Sequence, residues 1–124
     1  MGDLNLQKIQ ELREKKELWK QGGGQARIER QHARGKLTAR ERLDLLFDPG
    51  TFVEYGLFAK ADSNLHGIDK LHTPGDGVVT GFGKVNGRLT WAVSQDFTVL
   101  GGTMGQNHCM KINRASEEAA RNGC

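Results

Sequence analysis

The sequence has little cysteine, proline or aromatic residue and no long apolar run. Its two cysteines, Cys109 and Cys124, do not form a CxxC pair. Together with a start that lacks the apolar stretch of a signal peptide, this argues for reduced thiols and against a disulfide scaffold or structural zinc. No stretch approaches the ~18 apolar residues of a membrane span, so no membrane span is expected and a cytoplasmic protein is predicted. With 36% apolar and 6% aromatic residues against 17 glycines in 124, the material for a self-sufficient core is modest. One domain is the upper bound, and an incomplete unit is expected.

Charge is present but uneven. Residues 1–47 carry eleven Lys/Arg and seven Asp/Glu, leaving seven and eight for the rest of the chain, for a net +3. An excess this small, spread over helices, reads first as a solvated face. The stretch also lacks interleaved aromatics for base stacking, so no nucleic-acid partner is expected, and a non-catalytic basic interaction module stands only as an alternative.

Three helices are predicted in the first third. Residues 4–21 carry Leu6, Ile9, Leu12 and Trp19 on a narrow stripe interrupted at Lys16, which suits an arm better than a core element. Gly22–Gly24 ends it, and the lysine and Ser/Thr that would make this glycine run a phosphate loop are missing. A second helix runs over 25–34 to Gly35. A third starts at Thr38, whose spacing to Glu41 is that of a capping box, and is expected to bury Leu43, Leu46 and Phe47 before Asp48-Pro49-Gly50 turns the chain.

Beyond an extended segment at 52–58 and a polar, mobile loop at 60–76, two β-prone runs flank Asn86-Gly87, the preferred pair of a two-residue type I′ hairpin. That turn pairs Val85 with Arg88 and Phe82 with Trp91. It puts Val78, Thr80, Phe82, Leu89, Trp91 and Val93 on one face and the smaller Val79, Gly81, Gly83, Thr90, Ala92 and Ser94 on the other, where another layer can approach closely. A final helix is predicted from a second capping box, Thr103–Gln106, with Cys109, Ile112, Ser116 and Ala119 inward and Gly123 as C-cap. The order is strand, hairpin, helix: an α/β ββα unit preceded by a helical arm. On its own such a unit is expected to leave its sheet uncovered, so a truncated fold is predicted.

Three stretches, Gln31 to Leu43 with Leu46-Phe47-Asp48, Gly75 to Gly81, and Ser94 to Val99 with Gly101-Gly102-Thr103, resemble the opening of acyl-CoA carboxyltransferase subunits. This is the family of propionyl-CoA carboxylase β chains and methylmalonyl-CoA decarboxylase α subunits. The resemblance covers Leu12 to Gly123 but only a minority of a family member. It implies a crotonase-like fold built as a spiral of ββα units, with 1–50 as the helical arm and 51–124 as the start of the first such domain. It implies transfer of a carboxyl group between carboxybiotin and an acyl-CoA of the propionyl-CoA/methylmalonyl-CoA type; the α subunit of a biotin-dependent sodium-pumping decarboxylase is the alternative. The implied cofactor is biotin on a partner, with no metal. The implied partners are a biotin carboxyl carrier protein, a biotin carboxylase subunit and further copies in a homo-oligomer. The oxyanion-hole amides of the family lie beyond the last helix, so no catalytic residue carries over, and the chain is expected to be inactive alone.

The candidate site residues are few. Within the cluster Arg30, Arg34, Lys36, Arg40 and Arg42, the last four are candidate ligands of CoA phosphates, since guanidinium groups bind phosphate in bidentate fashion. The competing reading pairs Arg40 and Arg42 with Glu29, Glu41 or Asp44. Gly101 and Gly102 are either an amide pair for an anion at a helix start or a tight turn. Asp96 reads as an Asx turn before a general base. Cys109 reads as packing, and His32, His66, His72 and His108 as loop or surface residues without metal-ligand spacing.

Overall fold

The computed structural model describes residues 2–124. Three helices come first, α1 (Gly2–Lys20), α2 (Gln25–Ala33) and α3 (Ala39–Leu46). They are followed by the short strand β1 (Val53–Tyr55), the hairpin β2 (Val78–Val85) and β3 (Arg88–Gln95), and the helix α4 (Gln106–Asn122). The strands form one antiparallel sheet in the order β1-β2-β3.

α1 behaves as the arm its narrow stripe predicts, since none of its described residues is buried. Trp19, the residue before its last, ties it down, with its ring centroid 4.8 Å from His72 and 6.0 Å from Phe58. The glycines that follow do more than stop the helix. A Cβ on Gly23 would lie 1.8 Å from the carbonyl oxygen of Thr98, so the joint between α1 and α2 seats directly on the loop after β3.

α3 is capped as its sequence predicts. The Thr38 hydroxyl accepts from the Glu41 amide at 3.3 Å, and the Glu41 carboxylate accepts from the Thr38 amide at 2.7 Å. That amide, and then His32, hold the Glu41 carboxyl below the usual carboxylate range. Ala39, Leu43 and Phe47 are buried, whereas Leu46, expected with them, is exposed. The chain becomes extended at Phe47, whose ring turns inward and stacks on Phe52 at 5.1 Å, taking the space over the sheet that Leu46 would need.

Hairpin register follows turn chemistry. Val85 pairs with Arg88 and Phe82 with Trp91, and Asn86 and Gly87 both have positive φ, as a type I′ turn requires. The small-residue face lies under α3. A Cβ on Gly83 would come within 2.8 Å of the Phe47 ring, and the core there is Ala39, Leu43, Phe47 and Val79, flanked by Phe52, Val85 and Ala92. α4 packs on β2 and β3, on the face that carries Val78, Thr80 and Trp91. Both faces therefore carry a helix, which corrects the expectation of an uncovered sheet. What stays open are the outer edges of β1 and β3, unpaired among the described residues, and the exposed Leu89 and Val93. The boundary expected at residue 50 falls between α3 and the sheet it covers.

α4 departs most from expectation. It begins at Gln106 rather than at Thr103, because the Thr103 hydroxyl bonds back to the Leu100 carbonyl at 2.5 Å. Its cap comes from far away in the chain: the Asp76 carboxylate accepts from the His108 amide at 2.8 Å. The inward side is His108, Lys111 and Ala115, one residue out of step with Cys109, Ile112, Ser116 and Ala119, and Ser116 is exposed. Gly123 ends the helix in the left-handed conformation, as predicted.

The end of the 60–76 loop, expected to be mobile, is part of the interior instead. Thr73 to Gly77 are all buried, and Gly75, Asp76 and Gly77 have successive positive φ values of 67°, 50° and 74°. This turn receives α4. His108 Nδ1 donates to the Asp76 carbonyl at 2.8 Å, and Lys111 Nζ donates to the carbonyls of Gly75, at 2.8 Å, and Val78. Burial above all lowers the Lys111 amine from its ordinary 10.5 to about 8; Glu54 and Asp76 oppose the change, while Arg40 adds to it.

Two expected outcomes follow from these contacts. The Asp48 carboxylate accepts from the amides of Asn86 and Gly87 at 2.9 and 2.8 Å, so Asp48→Ala should lower the urea unfolding free energy by about 1–2 kcal/mol; an unchanged midpoint contradicts this. For Lys111, the unfolded chain holds the proton up to about 10.5 and the folded chain only up to about 8. Unfolding free energy should therefore rise between those pH values, by up to roughly 3 kcal/mol. Lys111→Met should lack that rise; parallel pH profiles for the two proteins would exclude it.

Candidate functional site

A cluster of positive charge lies where α2, the α2–α3 connection and the loop after β3 meet. There they enclose a cleft of about 840 Å³, within the size range of small-molecule sites. Its basic wall is Arg27, Arg30, Arg34, Lys36 and Arg42, and its opposite wall is Phe97 to Gly101 without Val99. No carboxylate lines it. Local sequence explains the first wall. Arg27, Arg30 and Arg34 recur at spacings of three and four on one side of α2, and the turn at Gly35 brings Lys36 round beside them.

Two of the five cations are already engaged with backbone. Arg27 donates to the Thr98 carbonyl at 3.1 Å and Arg42 to the Gln95 carbonyl at 2.7 Å. Arg30, Arg34 and Lys36 have no ion-pair partner among the described residues. Three free cations facing a concave, carboxylate-free surface leave a positive potential of the kind a polyanion would neutralise.

Of the predicted phosphate ligands, Arg34, Lys36 and Arg42 are brought together here and Arg40 is not. Arg40 faces the other side of α3, where its guanidinium makes a bidentate pair with Glu54 at 2.6 and 2.9 Å. The partners expected for it and for Arg42, namely Glu29, Glu41 and Asp44, are not used; Glu41 instead holds His32 at 2.9 Å. Arg27 was missed by sequence reading, although its helical spacing from Arg30 and Arg34 is a usable signal. Phe97 was missed because nothing in its neighbourhood marks it as exposed.

Gly101 lines the cleft, while Gly102 does not. The Gly102 amide donates to the Val99 carbonyl at 2.9 Å, and Thr103 to Gly105 separate both glycines from α4, so they form a turn and not a paired amide site at a helix start. Asp96 closes the Asx turn expected of it. Its carboxylate accepts from the amide and hydroxyl of Thr98 at 2.9 and 2.6 Å. His108, expected on a loop or surface, is wholly buried, because the inward face of α4 is rotated by one residue. Cys109 is half-buried. Among the described residues no group of three or more His, Cys, Asp or Glu is placed to hold a metal ion, and no helix is long and apolar enough to cross a membrane.

Comparison with known proteins gives this geometry its context. The family model "Carboxyl transferase domain" matches residues 30–124. The chain is 53% identical over 116 residues to methylmalonyl-CoA decarboxylase subunit alpha of Propionigenium modestum, covering 94% of this chain and 22% of that subunit. It is 46% identical over 115 residues to the propionyl-CoA carboxylase beta chain of Cereibacter sphaeroides, covering 93% and 22%. Among solved structures, the hexameric transcarboxylase 12S with methylmalonyl-CoA and methylmalonic acid bound superposes with a TM-score of 0.91 at 46% identity, over 94% of this chain and 23% of that one. The chain thus spans about a fifth of the length of these relatives. With nearly all of the sheet, α3, α4 and the basic cleft inside the matched residues, the chain belongs to the carboxyl transferase domain family.

Proposed function

We propose that the chain is the N-terminal portion of a carboxyltransferase subunit that moves a carboxyl group between carboxybiotin and the α-carbon of a propionyl-CoA- or methylmalonyl-CoA-type thioester. In this reading its own share of the work is to hold the phosphates of CoA in the basic cleft. The observation that carries this is the convergence of Arg30, Arg34, Lys36 and Arg42 on a surface without carboxylates. Guanidinium groups match phosphate geometry in bidentate fashion, and a lysine adds a point charge.

Arg40 is dropped from the ligand set, since its pair with Glu54 is part-buried and spends the guanidinium. The chain contributes no catalytic residue in this reading: Asp96 is locked in its turn and the Gly102 amide is taken. Carboxybiotin is a substrate delivered by a carrier protein, and a biotin carboxylase subunit and further copies of the parent subunit complete a cytoplasmic assembly. The decarboxylase α subunit is the second reading, supported by the 53% identity to the Propionigenium protein. Both activities present the same CoA to this cleft.

Isothermal titration of the chain with CoA tests the assignment. Binding should weaken at least about tenfold in Arg34→Glu/Lys36→Glu and should fall as salt is raised, because each phosphate contact is screened. CoA affinity unchanged by the double substitution, or tight RNA binding with no competition from CoA, contradicts it. In a carboxyl-transfer assay with free biotin and methylmalonyl-CoA the chain alone should show no turnover; measurable turnover removes the claim that it carries no catalytic residue.

A further inference from the structure

The cleft's second wall holds a feature that phosphate binding does not use. Phe97 is 57% exposed, yet its neighbours on either side, Asp96 and Thr98, are 8% and 4% exposed. The backbone beneath it is fixed at several points. The Asp96 amide donates to the Gly77 carbonyl at 2.8 Å. The Asp96 carboxylate holds Thr98, and from the arm the Gly23 amide donates to the Thr98 hydroxyl at 2.9 Å and Arg27 to the Thr98 carbonyl at 3.1 Å.

The ring is also set apart from the other aromatics. Every other Phe, Trp and Tyr of the chain has an aromatic neighbour, in the groups Trp19–Phe58, Phe47–Phe52 and Tyr55–Trp91–Phe82. Among the described residues Phe97 has no such neighbour and no cation over its face. A flat apolar ring on a rigid mount, facing free cations across one cleft, matches a ligand that joins a planar base to phosphates. Stacking on an aromatic ring is favourable for any base, and a mount ordered in advance spares the entropy of fixing it on binding.

We propose that Phe97 is the stacking platform for the base of a nucleotide whose phosphates lie against Arg30, Arg34 and Lys36, so that the cleft selects the nucleotide end of its ligand and not a polyanion in general. Leu37 and Leu100, which also line the cleft, give the base apolar edges. This inference rests on the CoA reading of the cleft and assigns which part of CoA is recognised.

The test compares adenosine 3′,5′-bisphosphate, the nucleotide end of CoA, with inorganic pyrophosphate by titration calorimetry on the chain. Phe97→Ala should weaken the nucleotide by about fivefold to a hundredfold and leave pyrophosphate within about twofold; Phe97→Trp should restore nucleotide affinity. Circular dichroism of each variant checks that the fold is kept. Equal loss of both ligands in Phe97→Ala would mean that the ring only shapes the loop, and it overturns the proposal. So does nucleotide affinity that Phe97→Ala leaves unchanged, an outcome that spares the CoA reading if CoA still responds to Arg34→Glu/Lys36→Glu. Failure of wild-type chain to bind nucleotide, pyrophosphate or CoA overturns both.

Discussion

The turn at Gly75-Asp76-Gly77 is the constraint on which the rest of the arrangement depends. It receives three bonds from α4: from the His108 amide to the Asp76 carboxylate, from the His108 ring to the Asp76 carbonyl, and from Lys111 to the Gly75 carbonyl. It receives one more from the end of β3, through the Asp96 amide to Gly77. The first set fixes where α4 crosses the sheet. The second fixes where the loop carrying Phe97 leaves it. Asp76 itself takes a positive φ of 50°, a conformation that costs a non-glycine residue of order 1 kcal/mol or more and persists only where its surroundings over-determine it. Four hydrogen bonds into a buried turn are such surroundings.

The two sides of the sheet are consequently held by different physics. Under α3 the layer is apolar and close, with glycines at 81 and 83 letting Phe52 and Phe47 sit against the backbone, and its stability comes from area removed from water. Under α4 the buried groups at the helix's N-terminal half include a histidine, a lysine and an aspartate beside Val78 and Thr80. Such groups add little net energy, but they tolerate no other arrangement, because each would be left without a partner if α4 slid by one residue. A polar layer of this kind serves position more than stability. The depressed Lys111 amine is the visible cost of that choice.

What the sequence made legible was whatever depends on neighbours in the chain. The Asn86-Gly87 turn dictates register, so the pairing of Phe82 with Trp91 and the division of the two faces were readable in full. The Thr38–Glu41 box was readable for the same reason. The Thr103–Gln106 box has the same spacing and failed, because a competing acceptor at Leu100 and a distant cap at Asp76 took over both roles. Once the helix start moved, the inward face moved with it, and His108, expected on a loop or surface, became buried together with Lys111. Arg40 was misplaced by the same kind of long-range partner, Glu54, fourteen residues on. Family resemblance supplied the fold of the whole, but could not say which of five basic residues face one another.

Ion pairing explains why the cleft is where it is. Carboxylates are nearly as numerous as cations in this chain, and on α3 and β1 they are matched at close range, Arg40 with Glu54 and His32 with Glu41. Around the cleft they are not, although Glu29 lies on the same helix as Arg30 and Arg34; its carboxylate accepts from Gln25 instead. Three cations held on a helix and its exit turn repel one another, and with no carboxylate in the wall that repulsion is relieved only by solvent, salt or a bound anion. The loop opposite is meanwhile anchored by two groups of the arm, Gly23 and Arg27, so α2 both supplies the charge and fixes the surface that faces it. α2 and the joint before it thus contribute both to the width of the cleft and to its potential, and a change that loosens the Gly23–Thr98 contact would disturb the wall that faces the cations.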